Sequence, residues 1–194
     1  MFRRGFKTWA ERTSLRARQK LKLAPGAPLD PFRFADLLGV SVVTPADLPE
    51  LAQDIRQRLA HDHRDCWSAI TVSDGGSHLI VVNSSHAQTR LNSSLAHEIA
   101  HIILGHEPSM MFMSPTSEMA LRTHNEEQEE EANWLAGCLL LPREALMLIR
   151  RMGKSPEDAC SEYGVSAAML RFRFNVTGVD AQLQYGRRRK HGRR

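Results

Sequence analysis

An α+β fold, a small and mostly antiparallel sheet packed beside two long helices with a helical extension at the C-terminal end, follows from three stretches of the sequence. Trp67 to Val72 and His78 to Val82 are apolar, β-branched runs joined through Asp74-Gly75-Gly76, the turn chemistry of a hairpin. Gln88 to Leu104 holds neither Pro nor Gly and stops at Gly105, a natural C-terminal cap, which marks a long helix. Asn125 to Leu140 reads as a second strong helix whose apolar face begins only after an acidic run.

The remaining elements fall in place around these. Thr8 to Leu23 carries Leu15, Leu21 and Leu23 among many Arg and Lys, which predicts a basic helix broken by Pro25-Gly26-Ala27-Pro28. Asp30-Pro31 is an N-cap and first-turn pair for a short helix ending at Gly39, and Val40 to Val43 reads as a strand. Leu51, Ile55 and Leu59 recur at helical spacing after Pro49. Residues 107–123, with Pro108, Pro115 and the Met110-Met111-Phe112-Met113 cluster, predict a loop whose methionines pack on the core or line an adaptable surface. Pro142 opens a helix to Gly153, Ser155-Pro156-Glu157 another, and Ala159 to Val179 reads as helix, Gly-containing turn and a helix capped by Ser166. There are no internal repeats.

Composition narrows the class. A chain of 194 residues with 42% hydrophobic and 25% charged residues can bury a real core and is neither disordered nor membranous in type. Its apolar runs, such as Ala136 to Leu141, fall far below the roughly 20 residues of a membrane span, and no signal-type apolar region follows Met1-Phe2-Arg3-Arg4. These features, with Cys66, Cys138 and Cys160 unpaired in spacing, predict reduced thiols and a cytoplasmic location. The net charge of +4 concentrates at Arg3 to Lys22 and in the Arg187 to Arg194 tail, read as a solvated extension or a weak nucleic-acid contact.

The chemistry lies in His97-Glu98-Ile99-Ala100-His101. Histidines four apart on a helix share a face, so both rings can reach one ion at roughly 2.0 to 2.1 Å, the distance zinc requires. Glu98 sits beside that face as general base for an attacking water. A catalytic zinc keeps three protein ligands, and the downstream candidates are His106, Glu107 and the run Glu126-Glu127-Gln128-Glu129-Glu130-Glu131. A metzincin would need Gly and His where this chain has Leu104 and Glu107, so that pattern is rejected. Glu129 is the expected ligand, with Glu130 and Glu131 as alternatives; Ala132 and Ala136 allow close helix packing. Asn133, on the face of Glu129, is expected to accept a proton from the far nitrogen of a zinc histidine. The two long helices thereby become the zinc-binding pair of the predicted fold.

With these residues assembled, Arg90 to His106 and Glu129 to Pro142 resemble the ImmA/IrrE family of metallo-endopeptidases, whose members join a His-Glu-x-x-His helix to a Glu-x-Glu-Ala-Asn helix and a Leu-Pro break. The likeness covers roughly residues 30 to 145; Ala100 stands where the family commonly has Gly and Leu135 where it commonly has Phe. It implies a gluzincin-like fold, Zn2+, and cleavage of a partner helix-turn-helix transcriptional repressor. On this reading residues 1–24 form a basic helix, 25–150 the zinc metallopeptidase domain, 151–180 a helical, helix-turn-helix-like segment and 181–194 a basic disordered tail. Substrate is expected along His78 to Val82, and His106, His124 and Tyr163 are candidates for stabilising the oxyanion. The rival is a non-hydrolytic regulator that binds DNA or a repressor and keeps zinc as a structural ion, and a toxin–antitoxin role is compatible with either. A structural zinc would be closed by a fourth Cys or His and has no use for Glu98, which favours the peptidase.

Overall fold

The computed structural model describes residues 2–49, 52–57, 59, 67–74, 76–106, 112–113, 119–120 and 125–183. Cys66, His124, Met110, Met111 and the Arg187 to Arg194 tail lie outside the described residues. The fold is α+β, as the sequence predicts, with a three-stranded sheet beside a larger helical layer.

Helix α1, Phe6–Lys20, buries Phe6, Ala10, Ser14, Ala17 and Arg18, a stripe at helical spacing that differs from the leucines the sequence singles out. Helix α2, Pro31–Leu37, starts as expected: the Asp30 side chain accepts from the Phe32 amide, and Pro31 occupies the first turn, where its missing N–H costs nothing. Strand β1, Ser41–Val43, leads through a single 3-10 turn at Pro45–Asp47 and helix α3, Gln53–Gln57, to the hairpin β2, Ala69–Asp74, and β3, Ser77–Val82.

The sheet is mixed and its order is β1-β3-β2. Strand β2 runs antiparallel to β3 with Thr71 opposite Ile80, while β1 runs parallel to β3 with Val42 opposite Ile80. This corrects the expected substrate strand: His78 to Val82 is β3, hydrogen-bonded on both sides, and cannot accept another strand. Among the described residues the sheet edges belong to β1 and β2. Ile80 and Val82 are buried beneath helix α4, Gln88–Leu104.

Helix α5, Glu126–Leu140, packs along α4, with Ala96 and Ala100 on one helix and Ala132 and Ala136 on the other all buried. Small residues at this contact let the two backbones approach. Between them in sequence, the expected loop contains a short antiparallel pair, β4 at Phe112–Met113 and β5 at Met119–Ala120.

Helix α6, Arg143–Met152, is followed by α7, Pro156–Tyr163, and α8, Ala167–Thr177, two helices separated by a turn at Gly164 with Ser155 and Ser166 as N-caps. These helices do not stand apart from the rest. One buried cluster runs from Phe6 and Ala10 through Leu95, Ile99, Leu135 and Leu139 to Tyr163, Leu170 and Val179, so the boundaries drawn at residues 24 and 150 separate no cores. Tyr163, offered as an oxyanion candidate, is instead a buried pin whose hydroxyl donates to the Gly26 carbonyl at 2.7 Å. No single helix among the described residues is long and apolar enough to cross a membrane.

Candidate metal centre

Helical periodicity sets the first half of the site. His97 and His101 lie one turn apart on α4, their ring centroids 4.6 Å from each other. Asn125 sets the second half: its side chain accepts from the Glu127 and Gln128 amides, fixing where α5 begins and therefore which acidic residue faces α4. That residue is Glu129. Its Oε2 is 3.2 Å from His97 Nε2 and its Oε1 is 3.5 Å from His101 Nε2, while the two Nε2 atoms are 2.9 Å apart.

These separations test whether the residues fit the implied ion. Ligands at roughly 2.0 to 2.1 Å around a tetrahedral zinc stand about 3.3 Å from one another, by simple geometry. The two Nε2 atoms are 2.9 Å apart, the carboxylate oxygen nearest each ring lies at 3.2 or 3.5 Å, and one ligand atom from each residue can be chosen with all three within 4.8 Å of one another, a spacing compatible with one ion. The donor set, two imidazoles and one carboxylate, is also that of a catalytic zinc with three protein ligands. The site fits.

Of the other acidic residues in the run, Glu126, Glu127 and Glu130 are exposed on α5. Glu131 turns to a different neighbour, described below, so Glu129 alone of the acidic run joins the described cluster. Asn133 is exposed, and no hydrogen bond joins it to His97 or His101 among the described residues. The orienting contact expected of Asn133 is therefore not seen among the described residues.

The far nitrogen of His101 meets His106 instead, at 2.9 Å between the two Nδ1 atoms. Gly105 makes this contact: with φ at 66° it adopts the left-handed conformation that costs glycine little, and the His106 amide returns to the His101 carbonyl at 3.1 Å. The reversed chain lays the His106 ring against that of His101. The sequence names His106 only as an alternative ligand or oxyanion group. The signal that locates it is the Gly-His pair directly after the last helical turn.

Glu98 is buried, 6% exposed, and its Oε2 accepts a 2.6 Å hydrogen bond from the Thr71 hydroxyl. Thr71 lies on β2, an edge strand among the described residues, so the carboxylate is held between α4 and the edge of the sheet. Sequence patterning gives no hint of Thr71, since its partner lies on another element.

Fold and site together bring a small sheet beside two packed helices, with a His-Glu-x-x-His turn on one and a carboxylate facing its histidines from the other. The model of the IrrE N-terminal-like domain, a peptidase family, matches residues 50–175, and the chain belongs to that family. The match begins ahead of α3 and runs into α8. A comparison with curated proteins gives no match. Among solved structures, a Mycobacterium tuberculosis transcriptional regulator is similar in fold, at 16% identity and a TM-score of 0.50. The likeness covers 89% of this chain and 47% of that one, so this chain spans about half the length of its structural relative.

Proposed function

We propose that this chain is a zinc-dependent endopeptidase that hydrolyses a specific peptide bond in a partner protein inside the cell, with a helix-turn-helix transcriptional repressor as the substrate class. One observation carries the reading: His97, His101 and Glu129 converge from two helices while Glu98 sits buried beside them against a sheet edge.

The roles follow from position. When bound, the zinc ion supplies Lewis-acid charge at the point where the three ligand atoms converge. His97, His101 and Glu129 would hold it. Glu98 removes the proton from the attacking water and delivers it to the leaving amine, and the Thr71 hydroxyl fixes the rotamer in which it does so. The outer edge of β2 accepts an extended substrate segment by strand addition, which places the scissile bond beside Glu98 without demanding a particular sequence. Nucleic-acid binding has less support: the exposed positions of α8 are Ala167, Ala168, Arg171, Phe172, Asn175 and Val176, with a single cation among them.

The test is Glu98→Gln. Wild-type protein loaded with zinc and mixed with a candidate repressor should give two fragments by mass spectrometry, and the variant should keep its zinc but cut about a hundredfold or more slowly. Undiminished cleavage by the variant would exclude this mechanism.

A further inference from the structure

We propose that His106 and Glu131 are positioning residues for the metal centre, a two-link relay that holds His101 in the ring orientation and tautomer a metal ligand requires. The inference rests on the metal-site reading above and concerns residues that do not themselves reach the ligand cluster.

Two ring nitrogens 2.9 Å apart must share a proton, one donating and the other accepting. If His101 offers the Nε2 lone pair to an ion, its proton lies on Nδ1, and His106 Nδ1 is then the acceptor. His106 must in turn carry its proton on Nε2. That atom faces the Glu131 carboxylate, with Oε2 at 3.5 Å. One requirement at the ligand therefore sets every proton along the row, and the row ends on a negative charge that favours the arrangement. The His106 side chain is only 7% exposed, so water cannot readily replace either link.

The relay also joins the same two elements as the ligands do. His106 extends α4 and Glu131 belongs to α5, so the pair forms a second tie beside the one Glu129 makes. Glu131 is steadied from outside the family-matched segment: its Oε1 lies 3.6 Å from Arg3 Nε, ahead of α1. The role assigned in advance to Asn133 thus falls to a histidine that the glycine cap folds back.

Zinc affinity, measured by competition with a chromogenic chelator, and the visible spectrum of the cobalt-substituted protein test this without reference to catalysis. His106→Leu should weaken zinc by about tenfold or more and shift the cobalt bands, since loss of an orienting partner typically costs that much. His106→Asn, whose amide oxygen can accept from His101 Nδ1, should recover most of the affinity, which a merely space-filling role would not predict. Glu131→Gln should weaken zinc less, by a few-fold, and covers the case in which His106→Leu does not fold. Wild-type affinity and spectrum in either His106→Leu or Glu131→Gln overturns the relay while leaving the metal site intact. A wild-type protein that takes up neither zinc nor cobalt overturns the metal reading itself, and the relay with it.

Discussion

The two ends of α5 treat charge in opposite ways. At the start, Glu129 and Glu131 project toward α4 and meet three histidine rings at 3.2 to 3.5 Å, contacts set by side chains that remain partly exposed. At the finish, the carbonyls that a helix leaves without partners are sealed by groups from distant parts of the chain. Ser14 Oγ donates to Cys138 O at 2.6 Å, Arg18 Nη2 to Leu140 O at 3.4 Å, and Arg173 Nε to Leu141 O at 2.9 Å. Both arginines are fully buried. Cations at this end complement the helix dipole as carboxylates do at the other.

What the contrast teaches is a division of labour along one helix. The beginning turns its carboxylates to a partly open cluster of histidines; the end spends its polar groups on fixing α1, α5 and α8 together. Gly137 shows how close that packing is, since an added Cβ would lie 3.0 Å from Arg173 Cδ. Arg173 also reaches Glu11 Oε1 at 2.6 Å, tying α8 to α1, and with Ser14 and Arg18 donating to the Cys138 and Leu140 carbonyls a helix outside the family match is bolted to α5.

Breaking each end should therefore give a different phenotype. The largest effect is expected from Glu129→Ala: metal content, measured by elemental analysis after dialysis, should fall to background, and cleavage should drop by more than the roughly 10- to 100-fold that an outer partner costs. The metal-free melting temperature should hardly move. A fully metallated variant would show that the beginning of α5 is structural after all. At the other end, Arg173→Leu removes one of the donors to the Glu11 carboxylate, which keeps the Arg143 amide, and leaves the Leu141 carbonyl without its arginine, and should cost about 1 to 3 kcal/mol in urea unfolding. Zinc affinity of the protein that stays folded should be unchanged. Unaltered stability there would remove the bolt from the argument.

A smaller change sharpens the active end. Thr71→Val keeps the shape of the side chain and removes the hydrogen bond to Glu98. A bond to a charged group contributes about 1.5 to 3 kcal/mol, so kcat should fall by roughly 10- to 100-fold. Zinc affinity should stay level, because Thr71 touches no ligand. Loss of zinc in this variant would mean that β2 supports the metal helices themselves, and not only the base.

These comparisons also show which parts were legible beforehand. Features that depend on residues close in sequence could be read: the His97 and His101 spacing, the cap at Gly105, the hairpin, the Ser155 and Ser166 starts of α7 and α8. Features that depend on distant partners could not. The parallel pairing of β1 with β3 leaves no local mark, and neither does the Thr71 contact across 27 positions. Helix α1 looked like a basic appendage because Arg18 reads as a surface charge until Leu140 O is placed next to it, 122 residues away. His106 is the intermediate case. Its cap is local and visible, but the direction in which the ring comes to rest follows only from the positive φ of Gly105.

The mildest prediction probes the sealed end of α5 directly. Burial pushes the Cys138 thiol up from 9.0 to about 12, against a smaller pull downward from Arg173. Because the folded value lies above the unfolded one, the native state holds this proton more tightly. Its contribution to stability is complete below about pH 9 and declines between there and 12. At pH 8 the thiolate is scarce and the sulfur is buried, whereas Cys160 is only partly covered. Peptide mapping after iodoacetamide treatment should therefore find Cys160 modified while Cys138 stays intact until the chain is denatured. Equal rates at the two sites would mean that the α1, α5 and α8 junction opens readily, and the contrast between the ends of α5 would be one of exposure alone.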